Sequence, residues 1–276
     1  MLDKRASVAI VIVTYNSQEE IAACLNSLVG QTDPFEATIT VVDNASSDGT
    51  ADFVRRQFPT VQVIDAGRNL GFSKANNLGI RATTSEYVVV LNPDTVSPPG
   101  GIPTLLRGLA SHRDTAIAGP RLLSERGFPE LSWGPPISPW GEFKQKVLSS
   151  LYHRKVRRVV RYVDRLSRQA RDVAWVSGAC MAIRRSDLEA VGLFDERYFM
   201  YNEDVDLCVA MHQRKRAILF IAQAEILHHR GRSAARNPNT AQRRRQSHVA
   251  YYEKHQPMWA WLLKLYLWIT RQPYGN

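Results

Sequence analysis

Apolar positions change their period along the chain, and each change marks an element. Val8–Val13 is an unbroken apolar, mostly β-branched run, the pattern of a strand covered on both faces. Glu19–Leu28 then follows a helical period, with Ser17 placed to cap it. Thr38–Val42 predicts a second strand, and Ser47 or Asp48 can cap a helix running to about Phe58. Val61–Ile64 predicts a third strand, Ser73–Ala82 a helix and Tyr87–Leu91 a fourth strand; Gly100–Ala110 and Thr115–Ala118 continue the alternation. Strands and helices alternating at this spacing predict an α/β, Rossmann-like fold, a mostly parallel sheet with helices on both faces.

After Pro120 the pattern breaks. Residues 127–142 are rich in Pro, Gly and Trp and predict a surface loop. A helix follows over 153–171, with Val156, Val159, Val160, Val163 and Leu166 forming one stripe among arginines. Val173–Ile183 is strand-like with Gly178 inside it, Leu207–Gln213 is helical and Ile218–Ile221 is another strand. From about 231 the chain predicts a basic, aromatic, helical C-terminal appendage.

The length, 276 residues, suits one domain plus such an appendage. No apolar run approaches the roughly 20 residues a membrane span needs. The first apolar run is too short for a signal-peptide core, and the three cysteines are scattered without a CxxC pair. Both point to a cytoplasmic protein. The formal net charge of +10 is local: 153–171 holds eight Arg or Lys against one Asp, and 230–245 holds six Arg and no acid. A basic amphipathic helix suits an anionic membrane surface or its own domain's surface, and the Trp-rich segment Pro257–Ile269 can lie at a membrane interface or dock on the core. Nothing interleaves aromatics with the basic runs as a nucleic-acid platform would, so no nucleic-acid partner is expected.

In an open parallel sheet, ligands gather beyond the C-terminal strand ends. Those ends here read Thr14-Tyr15-Asn16, Asp43-Asn44 and Asn92-Pro93-Asp94. None is a GxGxxG or a GxxxxGK[ST], which argues against dinucleotide cofactors and P-loop ATPases. Asp43 can accept a hydrogen bond from a base or ribose, and Asp94 stands where it can hold a hard divalent cation. Each, taken singly, is more often a turn former or helix cap. Glu203-Asp204-Val205-Asp206 follows a dense aromatic run; helical spacing puts Glu203 and Asp206 on one face and Asp204 elsewhere. His228 and His229 follow the last strand, and an extended backbone lets only one of them point inward.

In order, VAIVIVTYNS, VVDNASSDGT, GRNLGFSKANNLGI, VVVLNPDT, WVSGACMAIRR, GLFDERYFMYNEDVDLC and ILHHRGRS resemble the family 2 glycosyltransferases with the GT-A fold, most closely their rhamnosyltransferase-type members. The resemblance implies a GT-A domain over 1–230, with a nucleotide-sugar half (1–119) and an acceptor half (120–230), and a membrane-associating or oligomerising tail over 231–276. It implies that Thr14, Tyr15, Asn16, Asp43, Asn44, Arg68, Asn69, Gly71, Phe72, Asn76, Asn92 and Asp94 bind the nucleotide sugar. Trp175 and Gly178 would lie by the acceptor. Asp204 would be the catalytic base and Glu203 its assistant. The usual DxD motif stands here as Asn92-Pro93-Asp94, one carboxylate short, so His228, five residues before Ser233, is the implied second metal ligand beside Asp94. The implied reaction is a single inverting displacement, aided by Mg²⁺ or Mn²⁺, from dTDP-rhamnose or a UDP-sugar to a polyprenyl-diphosphate-linked saccharide. The implied location is the cytoplasmic face of the membrane, peripherally bound, with a homodimer open. A non-catalytic protein on the same fold, binding nucleotide sugar or glycan, is the alternative.

Overall fold

A computed structural model describes residues 6–30, 35–229 and 240–270; the basic stretch 230–239, with Ser233, lies outside the described residues. In its first half, strands β1 (Ser7–Thr14), β2 (Glu36–Asp43), β3 (Gln62–Asp65) and β4 (Tyr87–Leu91) alternate with helices α1 (Gln18–Asn26), α2 (Thr50–Gln57) and α3 (Phe72–Arg81). The short β5 (Thr95–Val96), α4 (Gly101–Ser111) and β6 (Thr115–Leu123) follow. The second half adds β7 (Trp133–Gly134), α5 (Pro139–His153), α6 (Arg157–Ser167), β8 (Arg171–Asp172), β9 (Trp175–Val176), β10 (Cys180–Arg184) and α7 (Arg185–Ala190). It closes with α8 (Glu203–Gln213), β11 (Ala217–His228), α9 (Thr240–His255) and α10 (Pro257–Ile269).

The main sheet runs β3-β2-β1-β4-β10-β6-β11-β5, with β8 also on β11. β1 pairs in parallel with β2 and β4, and β6 with β11; β10 is inserted antiparallel between β4 and β6. The sheet is therefore mixed but mostly parallel, as the alternation predicts. Both faces are covered. Ile10 and Ile12 of β1 pack with Ile21 and Leu25 of α1 and Leu105 of α4. Val11, the residue between them, packs with Ile80 of α3 and Met181 of β10. A Cβ at Gly79 would stand 2.6 Å from Val11 Cγ1, so that glycine sets how closely α3 lies on the sheet.

Five expectations are corrected. Ser17 makes no side-chain cap on α1; its hydroxyl turns to the Tyr15 carbonyl at 3.3 Å. Residues 127–142 are not wholly loop, since β7 lies within them and α5 starts at Pro139, with Ser138 accepting from Gly141 N–H. The helix expected over 153–171 is α6 alone, Arg157–Ser167; α5 ends at His153, and Lys155 between them takes a positive φ of 56°. Val173–Ile183 is two strands, β9 and β10, parted by Ser177-Gly178-Ala179, and β11 runs seven residues past Ile221 through a register shift.

The stripe on α6 packs inward through Val163, with Arg121 of β6 bonded to Asp164. Helix α5 is different: it buries no residue and exposes Trp140, Phe143 and Val147. The C-terminal helices are not loose. Tyr251 and Tyr252 of α9 and Ala260 of α10 are buried against Tyr198 and Val205. The anchor is Asp206, 2% exposed, which accepts from Tyr198 Oη (3.0 Å), Lys254 Nζ (2.9 Å) and His255 Nε2 (2.6 Å). Glu142 of α5 adds a second tie, to His248 Nε2 (2.7 Å) and Tyr252 Oη (3.1 Å).

Removing one partner of a buried ionic cluster strands the other. Asp206→Ala is expected to lower stability by about 3 kcal/mol and to expose the chain after 240 to protease. Denaturant unfolding and timed proteolysis with mass spectrometry measure the two effects; unchanged protection of α9 and α10 would contradict the anchor.

Candidate active site

The C-terminal ends of β1, β2 and β4 meet the start of α8 at a cleft of about 480 Å³. The sheet end contributes Tyr15, Asn44, Asn92, Pro93 and Asp94; the entrance to α3 contributes Asn69, Gly71 and Phe72. Ser177-Gly178-Ala179, Glu203, Asp204 and His228 form the facing wall. Asp94 and Asp204, 110 positions apart in the chain, thus face one space.

Several expected donor residues stand behind this wall. Asp43, 3% exposed, accepts from Thr14 Oγ1 (2.8 Å), Ser46 N–H (2.9 Å) and Ser46 Oγ (2.5 Å). Its carboxylate fixes the turn after β2. Asn16 holds Ser47 N–H at 2.8 Å, and Asn76 donates to the Phe72 carbonyl at 2.9 Å while its own Oδ1 stays buried without a partner. Asn44 ties β2 to the loop before α3, accepting from Leu70 N–H and donating to Gly71 C=O. Arg68 is exposed and does not line the cleft. Trp175 also lies off it; its Nε1 donates to Pro135 C=O at 2.9 Å. Gly71 has φ 80°, and a Cβ there would meet the Phe199 carbonyl at 2.3 Å. The close approach is thus to the protein's own backbone, where Phe72 N–H donates to Phe199 C=O at 2.6 Å.

Spacing alone pairs Glu203 with Asp206 on one helix face, and the structure corrects that reading. Tyr201 and Asn202 both have positive φ, turning the chain sharply into α8. Glu203 and Asp204 then project from the first turn into the cleft, while Asp206 faces α9. Asp204 accepts from Gly178 N–H (2.8 Å, Oδ2) and from Val205 N–H (2.8 Å, Oδ1). Glu203 is 5% exposed, and its Oε2 has no hydrogen-bond partner. Burial raises both carboxyl pKa values, Glu203's far more, and the neighbouring Asp204 pushes Glu203 further up. The backbone donors oppose the rise at Asp204. Both carboxyl groups are thus held above the ordinary range, Glu203 the more strongly because it lacks the Gly178 and Val205 amide donors that Asp204 has.

His228, 7% exposed, sits between two carboxylates: Nε2 is 3.4 Å from Asp94 Oδ1 and Nδ1 is 3.1 Å from Glu130 Oε2. Burial works against the imidazolium, but Asp94 and Glu130 outweigh it and push its pKa up to about 9. Asp94 Oδ1 is buried with no aligned hydrogen-bond donor. No group of three His, Cys, Asp or Glu able to enclose a cation occurs among the described residues. Asp94 and His228 offer two ligands, and Glu130 holds the ring from behind, as outer carboxylates do for metal-bound histidines. His229 turns the other way, to Glu125 at 2.8 Å. Reading the sequence missed Glu130 and Arg244, the latter reaching the cleft from α9. Arg244 lies in the basic run 230–245, which marks the charge but not the cleft it reaches, and Glu130 lay within the stretch read as loop.

A mostly parallel sheet with a polar cleft at its strand ends and a carboxylate pair on the facing helix defines the GT-A class of glycosyltransferase. The mannosyltransferase of Pyrobaculum calidifontis, solved with GDP-Man and Mn²⁺, superposes with a TM-score of 0.60 at 20% identity, over 93% of this chain and 68% of that one. The chain belongs to glycosyl transferase family 2, whose pattern matches residues 9–192. It is 31% identical to the N-acetylglucosaminyl-diphospho-decaprenol L-rhamnosyltransferase of Mycobacterium tuberculosis, across 91% of this chain and 85% of that protein. It is 29% identical to a low-salt glycan biosynthesis hexosyltransferase of Haloferax volcanii, across 82% of this chain and 66% of that protein. The chain is thus an enzyme, a glycosyltransferase.

A carboxyl group with a raised pKa stabilises the fold while protonated, and that contribution is lost as pH rises from its unfolded value through its folded one. Glu203→Gln keeps the neutral shape and cannot ionise. Its melting temperature is expected to match wild type near the ordinary glutamate value of 4.5 and to exceed it increasingly as pH rises above that. Parallel melting curves across pH measure this; equal slopes would contradict a raised Glu203 pKa.

Proposed function

We propose that this glycosyltransferase moves a hexose, first of all rhamnose from dTDP-rhamnose, onto a hydroxyl of a polyprenyl-diphosphate-linked saccharide. The observation that carries the reading is the convergence of Asp94, His228, Glu203 and Asp204 on one cleft. The relative from Mycobacterium tuberculosis, whose name gives a rhamnose donor and a diphospho-decaprenol acceptor, supports this sugar and this acceptor class. A UDP-hexose is the second donor choice.

Buried Asp94 Oδ1 and His228 Nε2, 3.4 Å apart at the cleft, are an oxygen and a nitrogen donor that fit a divalent cation, Mg²⁺ or Mn²⁺, with these two residues holding it. When bound, such a cation neutralises charge that builds on the departing diphosphate. The protein's own groups do the rest. Asp204, held by the Gly178 and Val205 amides, takes the proton from the acceptor hydroxyl as that oxygen attacks the anomeric carbon. The nucleoside diphosphate leaves from the opposite face, so one displacement inverts the anomeric centre. Glu203, buried beside Asp204, forms a hydrogen bond with a sugar hydroxyl. The nucleotide half, 1–119, carries the sheet ends, and 120–230 carries the base.

A lipid-linked acceptor supports a location at the inner membrane surface. No helix among the described residues is long and apolar enough to cross a membrane. α10 exposes Trp259, Trp261 and Trp268, α5 exposes Trp140 and Phe143, and exposed Arg154, Lys155, Arg157, Arg158 and Arg161 follow α5. Interfacial aromatics and cations favour an anionic bilayer surface, so the 231–276 tail serves as a peripheral anchor.

With labelled dTDP-rhamnose, a polyprenyl-diphosphate N-acetylglucosamine acceptor and Mn²⁺, Asp204→Asn is expected to lower kcat by about 10²–10⁴-fold while donor binding persists. NMR of the product should show inverted configuration; retention, or wild-type turnover by the variant, would refute the mechanism.

The triple replacement of Trp259, Trp261 and Trp268 by Ala should reduce co-sedimentation with anionic vesicles, and added salt should weaken wild-type binding further. A solution dimer that the triple variant splits would assign this face to a second copy instead.

A further inference from the structure

The cleft carries carboxyl groups on both walls, Asp94 at the sheet ends and Glu203 and Asp204 opposite. A diphosphate entering it meets those carboxylates and needs opposing charge. Arg244 also lines the cleft, and it belongs to the C-terminal helix α9, outside the span that the family pattern matches. Its guanidinium lies 5.8 Å from the ring centroid of Tyr201, in the turn that delivers Glu203 and Asp204. None of the ion pairs among the described residues uses Arg244, so its donors are available to a ligand.

The helix that carries it is fixed to the same turn. Arg243 stacks on Phe199 at 4.4 Å, and Ser247 Oγ donates to Met200 C=O at 2.7 Å. Two turns further on, Lys254 and His255 grip Asp206 of α8. Arg244 and the carboxylate pair are therefore mounted on one assembly. A guanidinium presents planar paired donors that match phosphate oxygens.

We infer that Arg244 binds the diphosphate group of a substrate, so that the C-terminal helix completes the active cleft rather than trailing from it. This deepens the transferase reading above and rests on it. The diphosphate has two sources in that reaction, the sugar nucleotide and the lipid-linked acceptor, and the test separates them.

Full-length wild type, Arg244→Ala, Arg244→Lys and Arg56→Ala, a charge control at the exposed end of α2, are titrated with dTDP, dTMP and thymidine, and with UDP, UMP and uridine, in the presence of Mn²⁺. If the donor diphosphate is the ligand, Arg244→Ala weakens nucleoside diphosphate binding about tenfold or more. Nucleoside binding stays unchanged, Arg244→Lys falls between, and Arg56→Ala matches wild type. If the acceptor is the ligand, nucleotide affinities hold, and KM rises for a lipid-diphosphate acceptor but not for an alkyl glycoside lacking the diphosphate. Either pattern supports the assignment. Equal loss for diphosphate and nucleoside, or no change in either arm, overturns it. Wild type that binds no nucleotide at all would instead overturn the transferase reading beneath it.

Discussion

Burial of the sheet on both faces governs the rest of the molecule. With Ile10 and Ile12 committed to one layer and Val11 to the other, no polar side chain can be tolerated along the middle of β1. Polar chemistry is pushed to the strand ends, where Tyr15, Asn44 and Asn92-Pro93-Asp94 emerge side by side because β1, β2 and β4 run in parallel and in register. The cleft is a consequence of sheet direction as much as of any single residue.

Opposite those ends, one tight turn does two jobs. The positive-φ pair Tyr201-Asn202 aims Glu203 and Asp204 at the cleft, and the helix it starts points Asp206 the other way, into Lys254 and His255. Desolvation raises the Glu203 pKa with no hydrogen bond to its Oε2, while two amides oppose the same rise at Asp204. Two adjacent acids thus differ in how far burial shifts them. The third acid is structural, though sequence spacing groups it with the first.

Sequence and structure agree where the signal is local. Continuous apolar runs identified β1 and β4 within a residue or two, and the motif order identified the family. What escaped was set by tertiary context. The break between α5 and α6 falls at Lys155, with neither Gly nor Pro to announce it. The second half of β11 was hidden because Gln223 and Glu225 interrupt the buried Ala224, Ile226 and His228. At the candidate site, Asp43 and Asn16 are polar residues at strand ends, but whether such a residue faces a ligand or braces a turn depends on neighbours such as Ser46 and Ser47. Arg244 reaches the cleft only because a helix far along the chain folds back.

The histidine doublet at the end of β11 acquires a meaning from the irregular pairing just before it. β11 loses register with β6 between Ile221 and Glu225, then pairs Leu227 with Val96 and His228 with Thr95. Neighbouring strand residues face opposite sides, so a one-residue slip exchanges inside for outside. Most side chains moved this way would leave the wrong chemistry facing inward. Here a slip in one direction would bring His229 to the place of His228, whereas a slip in the other would bring Leu227 there, so the doublet matches a single-residue deletion before it and not an insertion.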